Sequence, residues 1–147
     1  MDNTNNISGT PNTDMLFKGL KLTTKETVAG CAMAVYLNSL EKGQAVELMD
    51  NVVDVRVIVL NPEERSSVTM DSNICCNELR KLLTTSLNYT GAIMDGGWLH
   101  SEEQEAESLR NSVMGWMGNF DAEDVVLNMS SDFAEFLVRL SRWVRER

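Results

Sequence analysis

Val126, Met129, Phe133, Phe136, Leu137, Leu140 and Trp143 recur at helical spacing along the last part of the chain. Such a stripe covers one face of a 3.6-residue period and has to lie against a core. Asp121 stands where an N-cap belongs, and Glu123 and Asp124 complement the positive end of the helix. Arg139, Arg142, Arg145 and Arg147 crowd the final turns, where the negative end of the macrodipole favours cations. The pattern predicts a helix from about Ala122 to Glu146. Whatever the rest of the chain forms must offer this helix an apolar face.

The remainder has material for that. With 147 residues and 43% hydrophobic composition, the chain is long enough for one domain with its own core and no disulfide staples. Residues 1–13 are Asn- and Thr-rich, and residues 1–23 are expected to be a polar tail ahead of a domain spanning 24–147. A first helix is expected from about Lys25 to Glu41, capped by Thr24, with Val28, Cys31, Ala32, Val35 and Leu40 at helical spacing and Gly43 as its stop. The period then changes. Ala45 to Met49, Asp54 to Leu60, and Ser67 to Asp71 read as three strands of a meander, with Asn61-Pro62-Glu63-Glu64 as a turn. Asn77 caps a second helix with Leu79, Leu82, Leu83 and Leu87 on one face. Gly91 to His100 reads as a turn and a strand, and Ser101 to Ser108 as an acidic loop. Ser112 to Phe120 reads as a strand, because two glycines cost a helix roughly 2 kcal/mol there. The alternative is a helix running on to Trp116, which Glu105, Leu109 and Met114 tolerate. The expected fold class is therefore α+β: a single domain, α-β-β-β-α-β-β-α, with an antiparallel sheet packed against helices.

Charge and residue chemistry narrow the function. Thirteen Lys and Arg against 22 Asp and Glu give a net charge of −9. That argues against nucleic acid and against an anionic membrane surface as partners. No apolar run approaches a membrane span, and the N-terminus lacks the marks of a signal peptide. Cys31, Cys75 and Cys76 read as reduced thiols of an intracellular, cytoplasmic protein. His100 is the only histidine, so no multi-histidine metal site is possible, and no phosphate-cradling glycine loop is present. The expectation is no catalytic residues, no cofactor, no metal and no enzyme. Ile74-Cys75-Cys76-Asn77-Glu78 matches a loose pocket-binding pattern of viral proteins, which works only in an extended, exposed segment and reads here as chance.

The order of elements resembles the class I chaperones of type III secretion, the Tir-chaperone-like family. Leu79 to Asn88 looks like that family's second helix, and Gly91 to Leu99 like its glycine-rich turn into a fourth strand. Met114 to Phe120 with Asp121-Ala122-Glu123 looks like a fifth strand entering the last helix. Phe133, Phe136 and Trp143 fall where the family keeps aromatics.

The resemblance implies a cytoplasmic homodimer that holds the N-terminal segment of a secreted effector protein and keeps it soluble for virulence-related export. Its effector-binding candidates are Val35, Leu40, Val46, Leu48, Ile58, Leu60, Val68 and Met70, through strand addition and apolar grooves. Leu79, Leu82, Leu83, Leu87 and Trp98 are the dimer-interface candidates. The alternative is a small viral or phage accessory protein that binds a host regulatory protein.

Overall fold

The structure is a computed structural model that describes residues 14–52, 55, 69–89, 103–118 and 129–147. Six helices appear among them: α1 (Asp14–Phe17), α2 (Thr24–Ser39), α3 (Lys42–Asp50), α4 (Thr69–Leu87), α5 (Glu103–Gly118) and α6 (Ser131–Arg145). No strand occurs among the described residues, and the α+β expectation with its antiparallel sheet is overturned.

Helix α2 is the axis of the fold. A helix that is apolar on all sides belongs inside, and from Val28 to Ala34 every residue of α2 is buried. Helices α3, α4, α5 and α6 all pack against it. Small side chains make this possible: Ala29, Gly30, Cys31, Ala32 and Ala34 let several neighbours approach one backbone closely. One close approach is at Gly30, where an added Cβ would meet Phe136 Cζ at 3.0 Å and Phe17 Cε1 at 3.3 Å. Phe136 stacks on Phe17 at 5.0 Å between centroids and on Phe133 at 5.5 Å. An aromatic column thus joins α1, α2 and α6.

The N-termini of α2 and α6 are fastened together by one buried acid. Thr23 is the N-cap of α2 and closes a capping box: Glu26 N–H donates to Thr23 Oγ1 and Thr23 N–H donates to Glu26 Oε1. The same carboxylate reaches across to α6. Ser130 N–H donates to Glu26 Oε2 at 2.8 Å, and the Ser130 hydroxyl donates to Glu26 Oε1 at 3.0 Å. Ser130 Oγ in turn accepts from Phe133 N–H as the N-cap of α6. Because Ser130 carries that cap, the last helix starts at Ser131 and not near Ala122. The expected Asp121 cap lies outside the described residues.

Three strand expectations fell on helices, each for a physical reason. Ala45 to Met49 lies in α3, which opens with a Glu41–Gln44 capping box; Ala45 and Met49 are both fully buried while Glu47, which a strand would place on the same face, is exposed, and that is helical and not alternating placement. Thr69 to Asp71 forms the start of α4, eight residues before the expected Asn77 cap. Ser112 to Gly118 continues α5, where Leu109, Val113 and Trp116 sit three and four apart on the face toward the core. Burial of that stripe against α2 outweighs a glycine cost of about 1 kcal/mol each. Of Asp54 to Leu60 only Val55 is described, and it is helical and buried. The Gly91 to His100 turn and strand lie outside the described residues. Gly43, expected to end the first helix, instead sits in the first turn of α3, and α2 stops at Ser39 with Leu40 as its C-cap.

Two glycines then give opposite results on substitution. A Cβ at Gly115 meets nothing within 4 Å, so Gly115→Ala should raise stability by about 0.5–1 kcal/mol. Gly30→Ala forces a methyl onto Phe136 and should lower it by about 1–3 kcal/mol. Urea titration followed by circular dichroism measures both. Glu26→Gln should also destabilise despite its matching shape, by about 1–3 kcal/mol. All three groups facing the carboxylate are donors, so the amide NH2 must oppose a backbone N–H at either Thr23 or Ser130. A neutral result in the same titration would show that the acid does not fasten the two helices.

Candidate protein-binding groove

Helix α1 is one turn long and cannot hold itself together; it is held by α6. Leu16 is buried in the core and Phe17 joins the aromatic column. Gly19 closes the turn in the left-handed region at φ +78°. Arg139 Nη1 lies 2.7 Å from the Lys18 carbonyl, 3.3 Å from that of Met15 and 3.4 Å from that of Leu16, so a guanidinium from α6 satisfies the carbonyl end of α1. Four residues past α1, Lys21 N–H donates to Asp132 Oδ2.

Between the two helices runs a groove of about 450 Å³, lined by Met15, Leu16, Lys18, Arg139, Arg142, Trp143 and Glu146. Its apolar part is Met15, 68% exposed, together with the half-buried Trp143. Cations surround it: Lys18 and Arg142 are exposed, and Arg139 lies beneath, also 3.9 Å from Glu135. The other terminal arginines are used inside the chain. Arg147 donates to the carbonyls of Leu37 and Leu40, closing the C-terminal end of α2, and its guanidinium lies 6.0 Å from the centre of the Trp143 ring. Arg145 pairs with Asp50 at the end of α3. The Arg142 and Lys18 side chains have no partner among the described residues, which leaves two charges facing solvent at the rim.

The residues chosen from sequence fall elsewhere. Val35 on α2, Leu40 just after it, and Val46 and Leu48 on α3 are half-buried, and Leu40, Val46 and Leu48 pack against the core. None lines the groove. Ile58, Leu60, Val68 and Trp98 lie outside the described residues; Met70 lies in α4. Leu79, Leu82, Leu83 and Leu87 are fully buried in the chain's own core, on a helix that packs against α2 and α5. The apolar face of this helix is thus covered within one chain. Ile74 to Glu78 is helical, not extended. Met15, Lys18, Arg142 and Trp143 are not among the binding candidates chosen from sequence, although Met15-Leu16-Phe17 followed by Lys18-Gly19 is the pattern of a short apolar turn with its stop.

A second cleft, about 670 Å³, lies beside Thr23, Glu26, Trp116 and Ser130. Its buried carboxylate already accepts from three donors, so it is committed to holding the helices. Among the described residues no cluster of three His, Cys, Asp or Glu side chains is placed to hold a metal ion. None of their helices is long and apolar enough to cross a membrane. His100 lies outside them. The chain matches no known family model, no curated protein and no solved structure.

Cys31 illustrates how dry the interior is. Burial on α2 pushes its thiol from 9.0 up to about 12, because a thiolate there would lose its hydration. The raised value means that this group's contribution to stability is intact below 9.0 and is lost as pH rises toward about 12. At about pH 9, Cys31 should resist iodoacetamide in the folded chain and react like a free thiol in denaturant. Mass spectrometry of the Cys31 peptide resolves it from Cys75 and Cys76; rapid labelling in the folded state would contradict the buried placement.

Proposed function

We propose that this chain is a non-catalytic binding module that holds a segment of another protein in the groove between α1 and α6. The observation that carries the reading is the exposed Met15 beside Trp143, framed by solvent-facing Lys18 and Arg142. Apolar surface with a charged rim is what a protein partner covers, aromatic and Met side chains supplying the contact and the rim charges orienting it. Three of the four terminal arginines hold helices together, so the rigidity of the groove and its binding character come from the same helix.

The narrower role, a cytoplasmic chaperone for a type III secreted effector, rests on the order of elements in the sequence. It loses its strand-addition route in this fold, since helices occupy the described segments expected to offer a sheet edge. Holding of a partner segment through helices is the form of the role that the groove supports.

Site-specific photo-crosslinking tests it. With a benzophenone amino acid at Met15, the native cells should yield a discrete adduct that disappears when Arg142→Glu is added. The same group at the exposed Glu47 on α3 should yield none. Equal adducts at both positions, or no adduct at position 15, would remove the groove as the binding site.

A further inference from the structure

Resting on that reading, we infer that the occupant of the groove is an acidic amphipathic helix, its apolar side chains seated on Met15 and Trp143 and its carboxylates facing Lys18 and Arg142. Two independent features lead there. The first is charge. The lining holds Lys18, Arg139 and Arg142 against Glu146 alone, a net positive site on a chain whose overall charge is −9. Such a local reversal of sign favours a partner segment rich in Asp or Glu and repels a basic one.

The second feature is the backbone. An extended segment binds by pairing its N–H and C=O groups with free ones on its host. Here the carbonyls of Met15, Leu16 and Lys18 that border the groove already lie within reach of the Arg139 guanidinium. On the facing α6, the carbonyls of Arg142 and Trp143 accept from Glu146 N–H. With those acceptors taken, the groove suits an occupant that brings its own hydrogen bonds, and a helix does. The groove recognises it through side chains at i, i+3 and i+4, with apolar positions inward and carboxylates to either side.

Synthetic peptides about 15 residues long, near the length at which isolated helices begin to hold, provide the test against the full chain. One carries Leu on one helical face and Glu elsewhere, the second has Lys for every Glu, and the third is the Leu/Glu peptide broken by a central Pro. Fluorescence anisotropy reads affinity and the NMR signal of the Met15 methyl reads location. The Leu/Glu peptide should shift Met15 and bind at least about tenfold more tightly than the other two, more weakly as salt rises. Arg142→Glu with Lys18→Glu should abolish or reverse the preference for Glu over Lys, with the circular dichroism spectrum unchanged.

A Lys peptide that shifts Met15 and binds as well overturns the acidic occupant while the binding-module reading stands. Equal binding of the Pro-broken peptide overturns the helix. If no peptide moves the Met15 signal, the inference fails, and the crosslink at position 15 separately decides the broader reading. Binding to phosphatidylserine vesicles that is lost with Arg142→Glu would replace the helix by a membrane surface. A dimer in sedimentation analysis that this substitution dissociates would replace it by a second copy of the chain.

Discussion

The Glu26 carboxylate is the point from which the rest of the arrangement is set. A buried acid is tolerable when donors surround it, and here Thr23 N–H, Ser130 N–H and the Ser130 hydroxyl do so. Those donors belong to the N-caps of the central and last helices. The bond pattern therefore sets where α2 begins, where α6 begins, and how the two start beside one another. With the starts fixed, the aromatic column of Phe17, Phe136 and Phe133 falls against Gly30, where ring atoms of Phe136 and Phe17 leave no room for a Cβ.

The far end of α6 works by the converse chemistry. Carbonyls at helix ends need donors, and α6 with the residues just after it supplies them to its neighbours: Arg139 to α1, Arg147 to α2. Arg145 adds an ion pair with α3. Since surface pairs of that kind contribute little each, the carbonyl-capping contacts matter more for holding the short α1 turn in place. The groove is a by-product of this arrangement: Arg139 helps fasten α1 beside α6, and Arg142 is left facing outward among the arginines that are occupied.

Misreading of the middle of the chain followed from the short length of the apolar runs. Ala45-Val46-Glu47-Leu48-Met49 supports alternation or a helical pair at Ala45 and Met49, and nothing local separates them. The capping box at Glu41 and Gln44 was the available sign of a helix, though Glu is an uncommon cap. In α5 the glycines at 115 and 118 spoke against a helix, and the tertiary contact of Leu109, Val113 and Trp116 overrode them. The candidate site was less legible still. Met15, Lys18, Arg142 and Trp143 stand more than a hundred residues apart in two groups, and only the fold makes them neighbours.

Residue order alone determined that a strongly amphipathic helix closes the chain, that Val28 to Leu37 is helical and apolar, and that Leu79 to Leu87 presents one leucine face. These follow from local period and capping, which nearby residues settle. Tertiary structure decided that α2 is enclosed on all sides, that the first apolar turn at Met15 belongs to the fold, and that the described parts of the segments read as strands are helices. It also decided what Arg139 and Arg147 do, because a guanidinium near a helix end reads as a macrodipole partner until another helix's carbonyls are brought within reach. Those outcomes depend on contacts between distant parts of the chain, where close packing against small residues and satisfaction of buried polar groups outweigh local preference.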